Sequence, residues 1–555
     1  MPDPYTTHYR AWRWQVPAAF NIAERCAHRW AQDPAVANRT AIRWEDEMGA
    51  TVAISYAELS AQVHRAARAL ARLGVGRGTR VAICLPQRIE TAVAHLACYE
   101  LGAVAVPLTI LFGAEALEYR LNDADCEVAL VDPASCAKVL SVRARCPRLK
   151  AVLTCAGAQA PDTLDWEAQL ASESPAPLPI ATSPEDPALI LYTSGTTGPP
   201  KGALIPQRAL LGNLPGFRYS HATAQGLFPQ GEDVFWSPAD WAWTGGLWDA
   251  LLPTLYHGAT LVGYRGRFDP ERAFELMARH AVTATFLFPT ALKQMMKAVP
   301  RPRERYALKL RSIMSAGEAV GEAVFRWCEE ALGITPNEMF GQTEANYIVG
   351  NSAALWPAKP GSMGRPYPGH RVTILDEEGR ELPPGSTGEI AVHRFDLYGD
   401  PDPVIFLGYL GNEEATRAKF SGDWMRTGDL ARLDHDGDLW YEGRSDDIIK
   451  SAGYRIGPAE VENCLLTHPA IALAAVIGIP DPERGQIVKA YCVLAPGYTP
   501  SPALEAELAA HVRGKLAPYA YPKAFAFVES LPMTTTGKIQ RRVLRQREQA
   551  GSTSA

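Results

Sequence analysis

The sequence has no CxxC pair among its ten cysteines, and none of them stands beside a histidine at metal-ligand spacing. Structural zinc and a disulfide framework are not expected, and the cysteines read as small buried thiols of a reducing compartment. No apolar run is long enough to cross a bilayer. The most apolar stretch, Thr91 to Ala114, is interrupted by His95, Glu100, Gly102 and Pro107, and reads as a buried helix running into a buried strand. The first residues include Asp3 and no apolar core of signal-peptide type, with helical patterning from about Ala18, so a cytoplasmic location is expected. Strong charge of either sign is lacking as well. The net charge is -6, and residues 445 to 555 hold 12 Lys and Arg against 10 Asp and Glu, far from the basic stripe of a nucleic-acid binder. Fixed-period repeats and single-residue runs are absent.

What remains is ordinary globular composition, 47% hydrophobic and 21% charged, over 555 residues. That length exceeds what one hydrophobic core usually supports, so more than one folded unit is expected. Helix-like patterns alternate with short apolar runs from Ile54 to Val282: Ser60 to Leu73 helix, Arg80 to Leu85 strand, Ile89 to Leu101 helix, Val104 to Pro107 strand. Such alternation predicts parallel sheets with crossover helices. After Gly369 the strands become brief and are broken by Gly, Pro and Asp. Beyond the polar Arg444-Ser-Asp-Asp447, two helices (Pro458 to Leu466, Pro502 to Leu516) and two strands (Ala472 to Ile479, Val488 to Leu494) predict a small α+β domain. The fold class is thus α/β: a large N-terminal domain of helix-flanked sheets with a β-rich portion (1–445), then a small C-terminal domain (446–555).

The segment Leu191-Tyr-Thr193-Ser194-Gly195-Thr196-Thr197-Gly198-Pro-Pro-Lys201-Gly202 follows an apolar run and packs four Ser or Thr hydroxyls and two glycines ahead of a lysine. Phosphate binding needs these parts: glycines that let backbone N–H groups approach, hydroxyls that donate, and a cation on a long stem. A flexible Ser/Gly linker is the competing reading, disfavoured by the preceding strand. A Walker A loop fails on spacing, since Gly195 and Gly198 are three apart and Lys201 precedes Gly, not Ser or Thr.

With that loop, five further segments resemble, in order, the adenylate-forming superfamily of acyl-CoA synthetases, luciferases and peptide-synthetase adenylation domains. They are Ser315-Ala-Gly-Glu-Ala319, Asn337-Glu-Met-Phe-Gly-Gln-Thr-Glu344, Arg426-Thr-Gly-Asp429, Gly443-Arg-Ser-Asp-Asp-Ile-Ile-Lys-Ser-Ala-Gly-Tyr-Arg-Ile456 and Thr536-Gly-Lys-Ile-Gln-Arg541. The likeness runs from about Phe20 to Arg545 and is closest to medium-chain acyl-CoA synthetases. It implies an acid:CoA ligase that forms AMP, with ATP, Mg2+ and coenzyme A as substrates and cofactor. A homodimer is compatible with it, and membrane insertion is not implied.

The resemblance also implies roles. Lys538 would stabilise charge at the α-phosphate in the first half-reaction, where two anions meet. Glu344, with Thr196 of the loop, would hold Mg2+ through oxygen ligands, and Thr343 would stand beside it in the catalytic set. Gly317, Glu318 and the run Glu338, Met339, Phe340, Gly341, Gln342, Thr343 would wall the adenine. Asp429 would accept from the ribose hydroxyls, and Arg444 and Arg455 would contact the nucleotide. Phe340 departs from the commoner Tyr, keeping the ring and losing a hydroxyl. Asp446 would be the hinge about which the small domain rotates between half-reactions. Ala452, Gly453 and Tyr454 would line the pantetheine channel, and Arg484 and Arg513 would meet the phosphates of coenzyme A.

The acid would lie near Trp243, Thr244, Gly245, Ala316 and Gly341. Acetate-restricted enzymes of the family tend to place Trp where Gly341 stands, so Gly341 is expected to leave depth for a short-to-medium-chain, branched or aromatic acid. The alternatives are a stand-alone adenylation enzyme that loads a carrier protein, and an inactive relative serving as a scaffold.

Overall fold

The computed structural model describes residues 3–157, 160–179, 181–193, 199–444, 447, 449–451, 454–482, 484–516, 520–533 and 539–552. The chain forms two compact units, residues 1–372 with 392–425, and residues 373–391 with 426–555. Compactness thus draws 373–391 and 426–444 into the smaller unit, whereas the sequence pattern places a boundary at 445.

In the larger unit, a nine-stranded sheet runs in the order 365–366, 345–350, 337–342, 312–316, 284–286, 234–236, 260–265, 40–46, 51–55. From Thr40–Asp46 to Asn337–Gln342 the pairings are parallel, and the edges close with antiparallel strands. An eight-stranded sheet, in the order 408–409, 201–206, 187–193, 104–107, 80–84, 128–131, 151–154, 164–165, is parallel across its middle. Parallel strands covered on both faces must be apolar throughout. Val104–Pro107 and Val128–Val131 are buried at every position, as that rule requires.

Helix Tyr56–Arg72 shows how local sequence sets an element. Ser55 and Glu58 form a capping box that satisfies the first N–H groups, and Leu59, Val63, Ala66 and Leu70 recur at helical spacing on the buried side. Ile89–Glu100 is buried almost all round, as a helix inserted between layers should be. An N-terminal helix, Pro4–Ala11, precedes the patterning read from Ala18. It is tied down by Tyr5 and Tyr9, whose hydroxyls donate to the carbonyls of Pro366 and His370 at 2.9 and 2.8 Å. All ten cysteines are buried and free. Among the described residues no helix is long and apolar enough to cross a membrane.

In the smaller unit, Ile471–Asp481 and Gly485–Leu494 make a long antiparallel hairpin, with Ala524–Phe527 alongside in parallel. Helices Pro458–Leu466 and Pro502–Lys515 pack Val461, Leu465, Leu508 and Val512 on Val476 and Val488 to form its core. The same unit holds the antiparallel pairing of Asp429 through Leu433 with Leu439–Arg444.

Candidate active site

In open α/β sheets ligands gather at the carboxyl ends of parallel strands. Three of the sequence segments lie there. Strand Ser312–Ala316 ends on Ala316 and runs into Gly317, strand Val234–Trp236 leads to the Trp243 segment, and Asn337–Gln342 turns through Thr343 and Glu344 into Ala345–Gly350. Gly317 has φ +96°, a left-handed conformation that suits glycine, and the following Glu318 is exposed.

The loop lysine reaches the same region. Pro187–Thr193 and Lys201–Pro206 are antiparallel neighbours, with Thr193 opposite Lys201. Gly408–Tyr409 pairs on the far side of the Lys201–Pro206 strand. This places the Lys201 ammonium 5.4 Å from the centre of the Tyr409 ring, while the Tyr409 hydroxyl donates to Oε1 of Glu344. The backbone carbonyl of Glu344 also accepts from the Phe406 N–H at 3.0 Å. Lys201, Tyr409 and Glu344, from three separate parts of the chain, therefore converge on one spot. Tyr409 was missed in the sequence because a single Gly-Tyr pair carries no motif.

Glu344 is buried, and the partner its carboxylate has among the described residues is the Tyr409 hydroxyl, not a lysine or arginine. A buried carboxylate without a counter-cation is costly. Its oxygens, one of them accepting from the Tyr409 hydroxyl, are the hard donors that Mg2+ takes, and the next residue back, Thr343, pairs its hydroxyl with that of Thr244 at 3.3 Å. The donor set fits that ion. Lys419 Nζ lies 3.5 Å from the Gln342 side-chain oxygen and adds positive charge at the edge of the site.

Other adenine-wall candidates are distributed differently. Met339 is buried, whereas Phe340, Gly341 and Gln342 are half-buried. The Glu338 side chain turns inward and accepts from the backbone N–H groups of Val320 (3.1 Å) and Gly361 (3.3 Å). Burial outweighs those two bonds and pushes its carboxyl up to about 7.

On the acid side, half-buried Trp243 meets Phe112 edge to face at 5.9 Å. A Cβ at Gly245 would lie 2.8 Å from the Phe286 ring, and one at Gly341 would lie 2.5 Å from the Tyr347 backbone nitrogen. The missing side chain of Gly341 therefore leaves no hole of its own, because the Asn346–Tyr347 peptide occupies that space. The expectation that Gly341 opens depth is corrected on this ground.

The smaller unit carries the ribose candidates. Asp429 and Arg444 are register partners across the hairpin. The Asp429 carboxylate accepts from the Tyr441 hydroxyl at 3.2 Å and from Arg444 Nη1 at 3.5 Å. Burial and the nearby carboxylate hold the Tyr441 hydroxyl protonated, well above its usual range. Gly428 is at φ +78°, and a Cβ there would meet the Arg444 guanidinium at 3.1 Å. Arg426 and the Gly428 N–H both engage Glu389, fixing the Arg-Thr-Gly-Asp segment within the strand Trp424–Leu433. Tyr441 is a second residue that the sequence did not reveal.

Arg541 Nη2 pairs with Glu462 at 2.6 Å and Nη1 with Asp447 at 3.3 Å, so the last motif is bound to the residue next to the expected hinge. Arg484 is exposed, its N–H donating to Asp481 at 2.8 Å. Arg513 is exposed with its guanidinium 5.5 Å from the Tyr521 ring. Tyr454 and Arg455 lie on the short strand Tyr454–Ile456. Ser194, Gly195, Thr196, Thr197, Gly198, Asp446, Ala452, Gly453 and Lys538 lie outside the described residues.

Residues 24–398 match the AMP-binding enzyme family and residues 460–538 match the AMP-binding enzyme C-terminal domain. The chain is 36% identical over 519 residues to YtcI, an uncharacterized acyl--CoA ligase of Bacillus subtilis, covering 93% of this chain and 94% of the relative. It is 34% identical to the mitochondrial acyl-coenzyme A synthetase ACSM4 of Rattus norvegicus, over 96% of this chain and 91% of the relative. The crystal structure of the anthranilate CoA ligase AuaEII in complex with anthranoyl-AMP superposes with a TM-score of 0.85 at 28% identity, over 97% of this chain and 99% of that one. The chain belongs to the AMP-binding enzyme family and, within it, to the acyl-CoA synthetases, which are ATP-dependent ligases.

Proposed function

We propose that the protein is an AMP-forming acid:CoA ligase acting on a short-to-medium-chain, branched or aromatic carboxylic acid. The observation that carries the reading is the convergence of Lys201, Tyr409 and Glu344 at the carboxyl ends of the parallel strands. A carboxylate oxygen of the acid attacks the α-phosphorus of ATP, and the bond to pyrophosphate breaks. The thiolate sulfur of coenzyme A then attacks the acyl carbon, and AMP leaves with the electron pair.

In this reading Lys201 and the hydroxyls of Thr193 to Thr197 hold the outer phosphates, and Glu344 with Thr196 holds Mg2+, which when bound neutralises phosphate charge. Thr343 orients the group beside Glu344. Asp429, kept in place by Tyr441 and Arg444, accepts from the ribose hydroxyls. Lys538 supplies the positive charge at the reacting phosphate in the first half-reaction. Residues 446–555 then rotate about Asp446 to present Ala452, Gly453 and Tyr454 to the pantetheine arm, with Arg484 and Arg513 toward the coenzyme A phosphates. The free, buried cysteines support a reducing, cytoplasmic setting.

Measuring AMP and pyrophosphate release with and without coenzyme A, across acetate to octanoate plus benzoate, tests this. Acid-dependent AMP release driven by coenzyme A is expected. Turnover that ignores coenzyme A and requires a carrier protein would replace the proposal with carrier loading.

A further inference from the structure

The segment Trp243 to Gly246 runs directly into a π-helical turn, Leu247–Leu251. Such turns add a residue to a helix and are often found at functional sites. Asp249 stands in the middle of it with 3% of its surface exposed, a carboxyl placed where a buried apolar residue is the usual choice. Asn346, 9% exposed, donates its Nδ2 to Asp249 Oδ1. Asn346 lies on Ala345–Gly350, the strand whose peptide fills the space behind Gly341.

Two polar links thus join the two walls of the candidate acid pocket. The Thr244–Thr343 hydroxyl pair links them beside Glu344, and the Asp249–Asn346 bond links them further along both segments. The Trp243 segment is tightly backed by its neighbours. A Cβ at Gly245 would meet the Phe286 ring at 2.8 Å, and one at Gly246 would collide with the Asp240 carbonyl oxygen. A buried acid–amide pair also resists separation, because parting it strands two desolvated polar groups.

We infer that Asp249 and Asn346 are specificity-determining positioning residues: their bond pins the Ala345–Gly350 strand behind Gly341, and so restricts the pocket to compact acids, short, branched or single-ring. The inference rests on the acid:CoA ligase reading and narrows its substrate class. Neither residue touches the reacting atoms; both act through Gly341 and the Trp243 segment.

The test compares kcat/KM for benzoate, butanoate and octanoate in the full-length wild type and in Asp249→Ala, Asn346→Ala and Asp249→Asn. The wild type is expected to favour benzoate or butanoate. Either alanine variant is expected to raise the octanoate-to-benzoate ratio roughly tenfold, the scale of a change in apolar pocket fit, with the KM for ATP unchanged. Asp249→Asn, which keeps an acceptor for Asn346, is expected to retain the wild-type ratio. If the alanine variants do not fold, Asn346→Ser, which shortens the reach, carries the same comparison. A wild type that prefers octanoate, or variants that lose activity equally on all three acids, would overturn the inference while leaving the ligase reading intact. Absence of coenzyme A-dependent AMP release with every acid would instead overturn the ligase reading, and this inference with it.

Discussion

The Tyr409 hydroxyl donates to the Glu344 carboxylate, and the ring of the same tyrosine lies 5.4 Å from the Lys201 ammonium. One aromatic side chain therefore links the lysine that ends the phosphate-type loop to the carboxylate assigned to the metal. Supporting groups of this kind orient a ligand and tune its basicity.

Replacing Tyr409 with Phe should leave the fold intact and weaken Mg2+ use. The Mg2+ concentration that half-saturates AMP formation is expected to rise roughly 10- to 100-fold, the usual scale for losing a partner of a metal ligand. A magnesium titration of wild type and variant checks this. An unchanged midpoint would show that the Glu344–Tyr409 bond plays no part in holding the cation.

The Lys538→Ala variant separates the two half-reactions. Adenylate formation should fall by roughly 10²- to 10³-fold, as expected for removing one preorganised charge from a transition state. Thioester formation from supplied acyl-adenylate and coenzyme A should stay near the wild-type rate. Equal loss of both steps would refute the assignment of Lys538 to the first step and the rotation of residues 446–555.

At the ribose candidate, Asp429→Asn is expected to raise the KM for ATP at least about tenfold, since hydrogen bonds to a charged acceptor are lost. Tyr441→Phe should raise it less, because it removes only the group 3.2 Å from that carboxylate. Initial-rate kinetics with ATP varied would distinguish them. If Tyr441→Phe proved the more harmful, Asp429 would not be the ribose acceptor.

Glu338 makes stability depend on pH. Its ordinary value is near 4.5, and burial raises it to about 7 despite two backbone N–H donors. Below pH 4.5 both states are protonated and the group has no effect on the slope. Between 4.5 and about 7 the unfolded chain ionises while the folded chain keeps its proton, so this contribution to stability is lost as pH rises and levels off above 7. Thermal melts at pH 5 and pH 8 should show Glu338→Gln losing less Tm than the wild type over that interval. Parallel losses would place the Glu338 titration outside this window.

Much of the scaffold was legible because parallel, doubly covered strands demand continuous apolar runs. Val104–Pro107 and helix Pro458–Leu466 fall where the pattern put them. The N-terminal helix Pro4–Ala11 has no buried residue, so no apolar stripe announced it. The π-turn carrying Asp249 has no periodicity of its own. Tyr409 and Tyr441 acquire meaning only through partners 65 and 12 residues away. Gly341 was informative as a glycine but for a different reason: the approach of Tyr347 N, not an open pocket, requires the absent side chain.

In the proposed reaction one chain first joins an acid to AMP and then passes the acyl group to coenzyme A. Mass spectrometry of the reaction with benzoate or butanoate, Mg2+ and ATP but no coenzyme A tests it most directly. An acyl-adenylate with pyrophosphate is expected, converted to acyl-CoA and AMP when coenzyme A is added. Formation of ADP and phosphate, or of an acyl phosphate in place of the adenylate, would contradict it.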